Sequence, residues 1–406
     1  MRRLLPFAVV AAFAACPVAQ GEAKEMPVLP WVAEVNRQFA LDLYAQLKGT
    51  EGNLSFSPLS VATALEMTYG GARGRTADQM ADVLAIPETH RRDPLLLHGA
   101  LGALPRDLTA DWNTGYELHV ANRLFGQRGY GFLEAFLALT RTNYGAELEE
   151  VDFVGDTEGA RQTINAWVER QTRERIRDLL QPLMLTPQTV LVLTNAVYFK
   201  ADWLTPFEKH MTHERDFYVT PEHKVRVPMM HRTGSYAHHD AGSVQVLELP
   251  YRGERLSMVI LLPKAKDGLA ALEKALSPDA LEGWLAGLRD ERVAVALPKF
   301  TATQAFVLND TLKAMGMPLA FSPEGADFSG MNGGVGPLWI SKVVHKAFVA
   351  VDEKGTEAAA ATAVIMERLA APSGLEFRAD HPFVYLIRDR RTGAILFMGR
   401  VVNPTA

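Results

Sequence analysis

The chain has 406 residues, of which 48% are hydrophobic and 22% charged, and its net charge is −5 at pH 7. This composition is typical of a globular protein with a large buried core. Without the two leading arginines the charge becomes −7 (−5 minus 2), so a bulk attraction to nucleic acid or to anionic lipid is excluded.

The first residues have the pattern of an export signal. Arg2 and Arg3 precede an apolar run over residues 4–15, which is too short to span a bilayer. We therefore predict a signal peptide over residues 1–23, a linker over residues 24–30, and an exported protein that is extracellular or periplasmic.

The only cysteine, Cys16, closes the apolar run in the sequence FAAC, which is similar to a bacterial lipobox. The position three residues before the cysteine is usually leucine and is Phe13 here. Two interpretations stay open: a lipid anchor on Cys16, or ordinary cleavage nearby, for instance after Gly21 or Ala23. In both cases the mature chain has no disulfide, so its stability depends on its core.

The apolar spacing predicts a helix from Trp31 that ends at Gly49. Its inward residues are Val32, Val35, Phe39, Leu43 and Leu47. Residues 53–60 (NLSFSPLS) predict a short strand and then Ser57 as the N-cap of a helix that is apolar nearly all round and hence buried. A further helix is predicted to begin at a Thr76 cap.

Residues 159–180 predict an amphipathic helix whose charges alternate in sign, which favours a solvated face over an anionic-cofactor site. Residues 189–199 are almost unbrokenly apolar and predict a strand that is covered on both faces. The remaining predicted elements are strands at 225–230, 244–249, 256–262, 293–297 and 338–351, helices near 269–288 and 305–315, and a hairpin at 382–402. Because no composition break follows residue 31, one α+β unit over residues 31–406 is the simplest interpretation.

The usual catalytic and nucleotide-binding motifs are missing from the sequence, so no enzyme activity and no cofactor are predicted. Six of the eleven histidines lie between His210 and His239, but His238 and His239 are adjacent. Adjacent residues of a strand point to opposite faces, so we expect no metal site there.

Residues 353–370 (EKGTEAAAATAVIMERLA) support two interpretations. Helix propensity alone predicts an alanine-rich helix behind a glycine. With a period of two residues, small side chains fall on both faces, as in a strand that could enter a packed sheet. One face then carries Thr356, Ala358, Ala360, Thr362 and Val364. We favour a protease-sensitive loop that rests outside a sheet and can become a strand within it.

Five blocks of sequence carry a family resemblance through their order and spacing. They are residues 53–60 (NLSFSPLS), 193–203 (LTNAVYFKADW) with 206–208 (PFE), 326–331 (ADFSGM), 344–348 (VHKAF) leading into 352–361 (DEKGTEAAAA), and 377–383 (FRADHPF) through 397–404 (FMGRVVNP). Together they resemble the serpin family of serine protease inhibitors over about residues 31–403. The resemblance implies an α+β serpin fold with three β-sheets, a surrounding set of α-helices and an exposed reactive-centre loop at about residues 353–376.

The resemblance also implies a mechanism. A target serine protease attacks the loop as a substrate and forms an acyl-enzyme. The cleaved loop then inserts as a new strand of the main sheet, and the protease is carried along and distorted before deacylation. The protein would be a monomeric suicide inhibitor that is metastable, with no nucleic acid partner and no membrane span.

By the same resemblance, three groups of residues have named roles. The hinge, the part of the loop that must insert, comprises Glu353, Gly355, Thr356, Ala358, Ala359, Ala360, Ala361 and Thr362. The shutter, a set of polar groups beneath the place where the sheet parts, comprises Ser57, Ser60, Asn195 and His345. The breach, where insertion begins, contains Trp203. Gly355 is expected to give the hinge its backbone freedom.

The resemblance also implies a reactive bond between Leu369 and Ala370: the loop length usual in the family, counted from Glu353, and the family's downstream block, counted back from Phe377, give the same position. This bond suits a chymotrypsin-, elastase- or subtilisin-like protease. A loop one residue shorter would instead make Arg368 the residue that enters the specificity pocket and would select a trypsin-like protease.

Three other functions stay open at the level of sequence. The first is a binding or chaperone-like serpin without inhibitory action, which the small hinge residues disfavour. The second is inhibition that extends to cysteine proteases. The third is a hydrolase that pairs Ser57, Ser60 or Ser341 with His345, which the expected burial of these groups disfavours.

Overall fold

The computed structural model describes residues 27–110, 115–356 and 374–406. The helices are α1 Pro30–Leu47, α2 Pro58–Tyr69, α3 Gly74–Val83, α4 Pro94–Thr109, α5 Glu134–Tyr144, α6 Thr157–Gln171, α7 Leu269–Ala275, α8 Pro278–Ala286, α9 Asn309–Met315 and α10 Ser329–Asn332. The strands are β1 Leu54–Phe56, β2 Tyr116–Gln127, β3 Glu149–Val151, β4 Leu191–Asp202, β5 His213–Tyr218, β6 Lys224–Asp240, β7 Val244–Pro250, β8 Leu256–Pro263, β9 Arg289–Pro298, β10 Phe300–Val307, β11 Lys342–Val351, β12 Gly355–Thr356, β13 Leu375–Arg378, β14 Phe383–Asp389 and β15 Ile395–Val401.

One sheet holds the long strand that the apolar run predicted. Its strand order is β10-β11-β12-β4-β2-β3, and β11 also pairs directly with β4 in parallel. The short strand β12 lies between them at one end only, antiparallel to both. The sheet is therefore wedged open at one end and closed along the rest of the β11–β4 boundary.

The other described strands form a second sheet, in the order β1-β15-β14-β8-β7-β6-β9-β13 with β5 on β6. The expected α+β serpin fold had three sheets, whereas the described residues give two. The reason is the 17-residue strand β6, whose first part pairs with β5, whose middle pairs with β9 and whose last residues pair with β7. This shared strand joins two groups of strands that would otherwise be separate.

Strand β4 is buried on both faces, as predicted. Alternate residues such as Leu193 and Val197 face the main core between the two sheets. Val192 and Ala196 point the other way, into a smaller cluster formed with α6. Among the described residues, no helix combines the length and the hydropathy needed to cross a membrane.

Helix α2 begins as predicted. Ser57 is its N-cap and accepts a hydrogen bond from the Ser60 N–H, Pro58 occupies the first turn, and nearly every side chain of the helix is buried. The predicted start of the next helix at Thr76 is wrong, since α3 already begins at Gly74. Thr76 Oγ1 instead accepts a hydrogen bond from the backbone N–H of Asp327 at 2.9 Å.

Three other predicted helices are too long. The helix over residues 159–180 ends at Gln171, because the backbone then takes positive φ at Arg173, Glu174 and Asp178, which an α-helix excludes. Ile176 is buried all the same.

The helix over residues 269–288 is broken between α7 and α8, where Ser277 caps the second piece. The first part of the helix over residues 305–315 belongs to β10. At the end of α1 the cap is Lys48 rather than Gly49.

Candidate functional site

The four predicted shutter residues lie together, although they come from three distant parts of the chain. His345 Nε2 accepts a hydrogen bond from the Ser57 backbone N–H at 3.0 Å, and His345 Nδ1 bonds Asn195 Oδ1. Asn195 Nδ2 donates to Ser60 Oγ at 2.5 Å and to Asn122 Oδ1 at 2.6 Å. Each of these polar side chains is thus satisfied within one buried network.

This network crosses the boundary at which the sheet could open. Asn122, Asn195 and His345 face one another as cross-strand partners on β2, β4 and β11. Ser57 of the first turn of α2 bonds His345, on one side of the β11–β4 boundary, and Ser60 bonds the two asparagines on the other side. Parting β11 from β4 must therefore break the Asn195–His345 hydrogen bond.

The predicted breach residue, Trp203, anchors the turn that follows β11. Its backbone N–H donates to Lys354 O at 2.7 Å, and its Nε1–H donates to Asp352 O at 3.0 Å. The indole stacks on the buried ring of Tyr251, with ring centroids 4.6 Å apart. The end of β4 and the start of the hinge are thereby held against the same aromatic pair.

Glu353 is buried and fully partnered at this turn. Its carboxylate accepts hydrogen bonds from Lys299 Nζ and Thr212 Oγ1, each at 2.9 Å. Burial raises the pKa of Glu353, but the hydrogen bonds from Lys299 and Thr212 outweigh it and hold the pKa below its usual value. The carboxylate is therefore charged at neutral pH and ties the hinge to the strands beside it.

The first hinge residues already belong to the six-stranded sheet. Gly355 and Thr356 form β12, which pairs with Asp202 and Ala201 of β4. Thr356 is fully buried, and its hydroxyl bonds the Tyr251 hydroxyl at 2.7 Å. The side chain of Thr356 therefore points into the core between the two sheets, on the face that the period of two residues assigned to it.

Position 355 requires glycine because β12 lies very close to β4 there. Its φ does not lie in the left-handed region, but a Cβ at this position would come within 1.9 Å of the carbonyl oxygen of Ala201. The structure thus adds a reason that differs from the expected backbone freedom: only glycine lets β12 lie this close to β4.

Comparison with known proteins agrees with this architecture. The family model described as "Serpin (serine protease inhibitor)" matches residues 34–404. The chain belongs to the serpin family. An uncharacterized serpin-like protein of Thermococcus kodakarensis is 44% identical to it, with 94% of this chain and 87% of that protein covered. The human leukocyte elastase inhibitor is 39% identical, with 92% and 99% covered.

Solved serpin structures share the fold. The structure of human thyroxine-binding globulin complexed with thyroxine superposes with a TM-score of 0.84 at 33% identity, and 93% of this chain and all of that chain are covered. Family membership confirms the predicted fold class and the prediction that this serpin is not an enzyme.

The polar groups of the shutter give a physical reason against a serine hydrolase. Ser57 Oγ donates to Leu396 O at 2.7 Å, and Ser60 Oγ donates to Asn122 Oδ1 at 2.8 Å. His345 Nε2, the atom that would have to act as the base, is taken by a backbone N–H. No proton path from a serine hydroxyl to this imidazole follows from these bonds.

Both ends of the predicted reactive-centre loop, at about residues 353–376, lie among the described residues. Residues 353–356 are held at the turn and in β12, and β13 begins at Leu375. The remaining hinge residues, Ala358, Ala359, Ala360, Ala361 and Thr362, and the reactive-bond candidates Arg368, Leu369 and Ala370 lie outside the described residues, as do Cys16 and the predicted signal peptide. Their roles stay predictions.

Sequence reasoning missed two residues of the site. Asn122 completes the shutter network, but it lies on β2, a strand that was not predicted because Asn122 and Arg123 interrupt its apolar pattern. Tyr251 joins Trp203 to Thr356, yet it is held by a single isolated bridge to Trp203 and has no local signature. Only the folded arrangement identifies both.

The shutter histidine gives this serpin an expected acid sensitivity. Burial lowers the pKa of His345 to about 3 in the folded state, against about 6.5 in an unfolded chain. Between these values only the unfolded state binds the proton, so the free energy of unfolding falls as the pH decreases from about 6.5, by up to about 1.4 kcal/mol per pH unit. Urea unfolding at pH 4.5–7.5 measures this slope.

The control for the acid sensitivity is His345→Gln, which can still accept from Ser57 and donate to Asn195 but does not titrate. We expect its unfolding midpoint to depend less steeply on pH than that of the unsubstituted protein. If the unfolding midpoints of the two proteins depend equally on pH, the proton that destabilises the folded state binds to a group other than His345.

A second expectation concerns the turn before the hinge. Glu353→Gln removes the charge that bonds Lys299 and Thr212 and should lower the free energy of unfolding by about 1–2 kcal/mol. The matched control is Glu376→Gln, which breaks the exposed ion pair with Arg378 and should cost less than about 1 kcal/mol. Thermal midpoints at one scan rate compare the two; equal shifts would refute the role of burial at Glu353.

Proposed function

We propose that this serpin inhibits a serine protease as a suicide substrate. A protease cleaves the Leu369–Ala370 bond, and the hinge then inserts into the six-stranded sheet before the acyl-enzyme is hydrolysed. The observation that carries the proposal is β12, a strand already seated between β11 and β4 in the antiparallel direction that insertion requires. Insertion would lengthen an existing strand, so no new one has to be nucleated.

The register of β12 predicts where each inserted residue goes. Each residue after Thr356 steps one position back along both β4 and β11. Thr362 then falls in the row of Asn195 and His345, on the core-facing side. Its hydroxyl is well placed to partner the two shutter groups whose mutual hydrogen bond insertion must break, so neither is left buried and unpaired.

The small residues of the hinge suit this path. In the same register Ala360 falls between Val197 and Ala347, which are 1% and 0% exposed. A methyl group fits among such neighbours, whereas a charge buried there unpaired would cost several kcal/mol. The alanines therefore lower the barrier to insertion.

The class of target follows from the reactive bond. Leucine at the position that enters the specificity pocket suits chymotrypsin-, elastase- or subtilisin-like proteases. The similarity to a leukocyte elastase inhibitor agrees with this class. We also propose that the protein is exported and acts outside the cell or in the periplasm, since its first residues resemble a signal peptide.

Incubation with chymotrypsin, elastase, subtilisin and trypsin in turn tests the proposal. We expect at least one of the first three to give a covalent complex that survives SDS electrophoresis. N-terminal sequencing of the released fragment should then begin at Ala370. If all four proteases cleave the loop without forming a complex, suicide inhibition is refuted.

A second candidate is a serpin that binds a ligand without inhibiting a protease. Its support is the high structural similarity to a serpin that is complexed with thyroxine. This function predicts that the cleaved loop does not insert, so the thermal midpoint after cleavage separates the two functions.

A further inference from the structure

A cavity of about 780 Å³ lies at the end of α2 that is remote from the shutter. It is lined by the last residues of α2, by α3, and by residues of α4 and α5, and it is partly open to solvent. Small-molecule sites in proteins have volumes of about 300–1,000 Å³. The size of this cavity is therefore that of a ligand site rather than of a packing defect.

The charged groups at the cavity are mostly positive. Arg73, Arg91 and Asp78 are the charged residues that line it. Arg91 is paired with Asp82 at 2.8 Å, whereas Arg73 forms no ion pair within the described part of the chain. The phenol of Tyr69 lies among these charges: burial raises its pKa, the charges of Arg91 and Arg73 lower it, and that of Asp78 raises it.

Arg73 is fixed in place although it lacks a carboxylate partner. Its Nη1 donates to Gly70 O at 3.1 Å and to Ala72 O at 2.7 Å. The guanidinium also lies against Gly330, where a Cβ would come within 2.3 Å of its Cζ. A positioned guanidinium with unused donors is a good partner for a carboxylate.

The inner wall of the cavity carries no compensating negative charge. His98 is 1% exposed, and its Nδ1 bonds the Tyr144 hydroxyl at 2.7 Å. Burial and the charge of Arg73 lower the pKa of His98 to about 4, so the ring is neutral at pH 7. The buried Glu66 of α2 does not line the cavity, and burial raises its pKa to about 8, so it is mostly protonated at neutral pH.

Most of the remaining lining of the cavity is apolar, and Thr142 and Asn143 are its polar members. Phe136, Ala138 and Leu139 of α5 face Leu95 and Leu97 of α4 across it. Leu95 is 75% exposed and therefore lies at the open side of the cavity. The cavity thus combines an apolar slot with a cationic rim.

We propose that this cavity binds a small amphipathic organic anion such as a medium-chain carboxylate. The anionic group lies beside Arg73 and Tyr69, and the apolar tail lies between α4 and α5. This site is separate from the shutter, which lies at the other end of α2.

Titration calorimetry with decanoate tests the site, with decyltrimethylammonium as a cation of the same chain length. We expect saturable binding of one decanoate and at least tenfold weaker binding of the cation. Arg73→Gln should weaken decanoate binding about tenfold. The matched control Arg75→Gln changes an equally exposed arginine two residues away, in the first turn of α3, that does not line the cavity and should leave the affinity unchanged.

A cavity-filling variant keeps the test decisive if Arg73→Gln unfolds the protein. Ala138→Phe extends a partly exposed side chain into the open space and should abolish decanoate binding without lowering the thermal midpoint. Equal affinities for decanoate and the cation would overturn the proposal. Unchanged decanoate binding by a folded Ala138→Phe protein would overturn it too.

Discussion

Cleavage of this serpin within residues 357–373 is expected to raise its thermal midpoint by about 5–10 °C. Insertion after Thr356 replaces the single β11–β4 ladder by two ladders. One additional ladder of backbone hydrogen bonds at about 1 kcal/mol each contributes on the order of 5–10 kcal/mol. For a chain of this size each kcal/mol raises the midpoint by about 1 °C. Differential scanning calorimetry before and after limited proteolysis measures the change.

Two arginine substitutions separate insertion from simple loop removal. Ala360→Arg would place a charge between Val197 and Ala347 in the core and should abolish the increase in midpoint. Ala359→Arg is the matched control. In the same register its side chain faces Tyr198 and the partly exposed Phe348, from which a long arginine can reach solvent.

The Ala359→Arg protein should therefore keep most of the increase in thermal midpoint after cleavage. An equal midpoint before and after cleavage in the unsubstituted protein would favour the ligand-binding function. An equal increase in both arginine variants would show that the stabilisation does not come from insertion in this register.

The parts of the fold that sequence predicts are those whose signal is local. Ser57 and Pro58 begin α2 as expected, because the capping and first-turn positions depend on neighbouring residues alone. Strand β4 is recognised because burial on both faces requires an apolar run. The hairpin of β14 and β15 follows from a turn whose Gly393 takes positive φ.

The parts that sequence misses depend on contacts between distant segments. Asn122 interrupts the alternation of apolar residues along β2, because its side chain forms hydrogen bonds with α2 and β4. The helix after residue 159 stops early although its apolar spacing continues. The later apolar residue Ile176 is buried from a non-helical turn, so its burial did not require a helix. Local periodicity cannot distinguish these cases.

At the candidate site too, the sequence identifies some residues, whereas the contacts between distant segments become visible only in the structure. The family resemblance names Asn195 and His345, and the structure places them as cross-strand partners. The resemblance does not reveal that α2 bonds both sides of the boundary, nor that Thr356 is already seated against Tyr251. These contacts close the boundary between β11 and β4 at the shutter, whereas β12 already separates the two strands at one end.

A substitution at the reactive bond is expected to change the inhibition rates strongly, because the residue before this bond decides which protease attacks. Leu369→Arg should lower the rate of complex formation with a chymotrypsin-like protease by about 100-fold or more and create inhibition of trypsin. A specificity pocket closed by apolar residues cannot accept the arginine, whereas a carboxylate at its base pairs with it. Second-order inhibition rates against both proteases measure the exchange.

Arg368→Gln decides between the two candidate bonds. If Leu369 precedes the reactive bond, Arg368→Gln changes the chymotrypsin rate by only a few-fold, because the side chain lies one position away from the specificity pocket. If Arg368 precedes it, the unsubstituted protein inhibits trypsin and Arg368→Gln removes that inhibition. From the register of β12, insertion as far as the start of β4 would end near residue 366. A bond after Leu369 would then leave three residues between the sheet and the protease, and a bond after Arg368 would leave two.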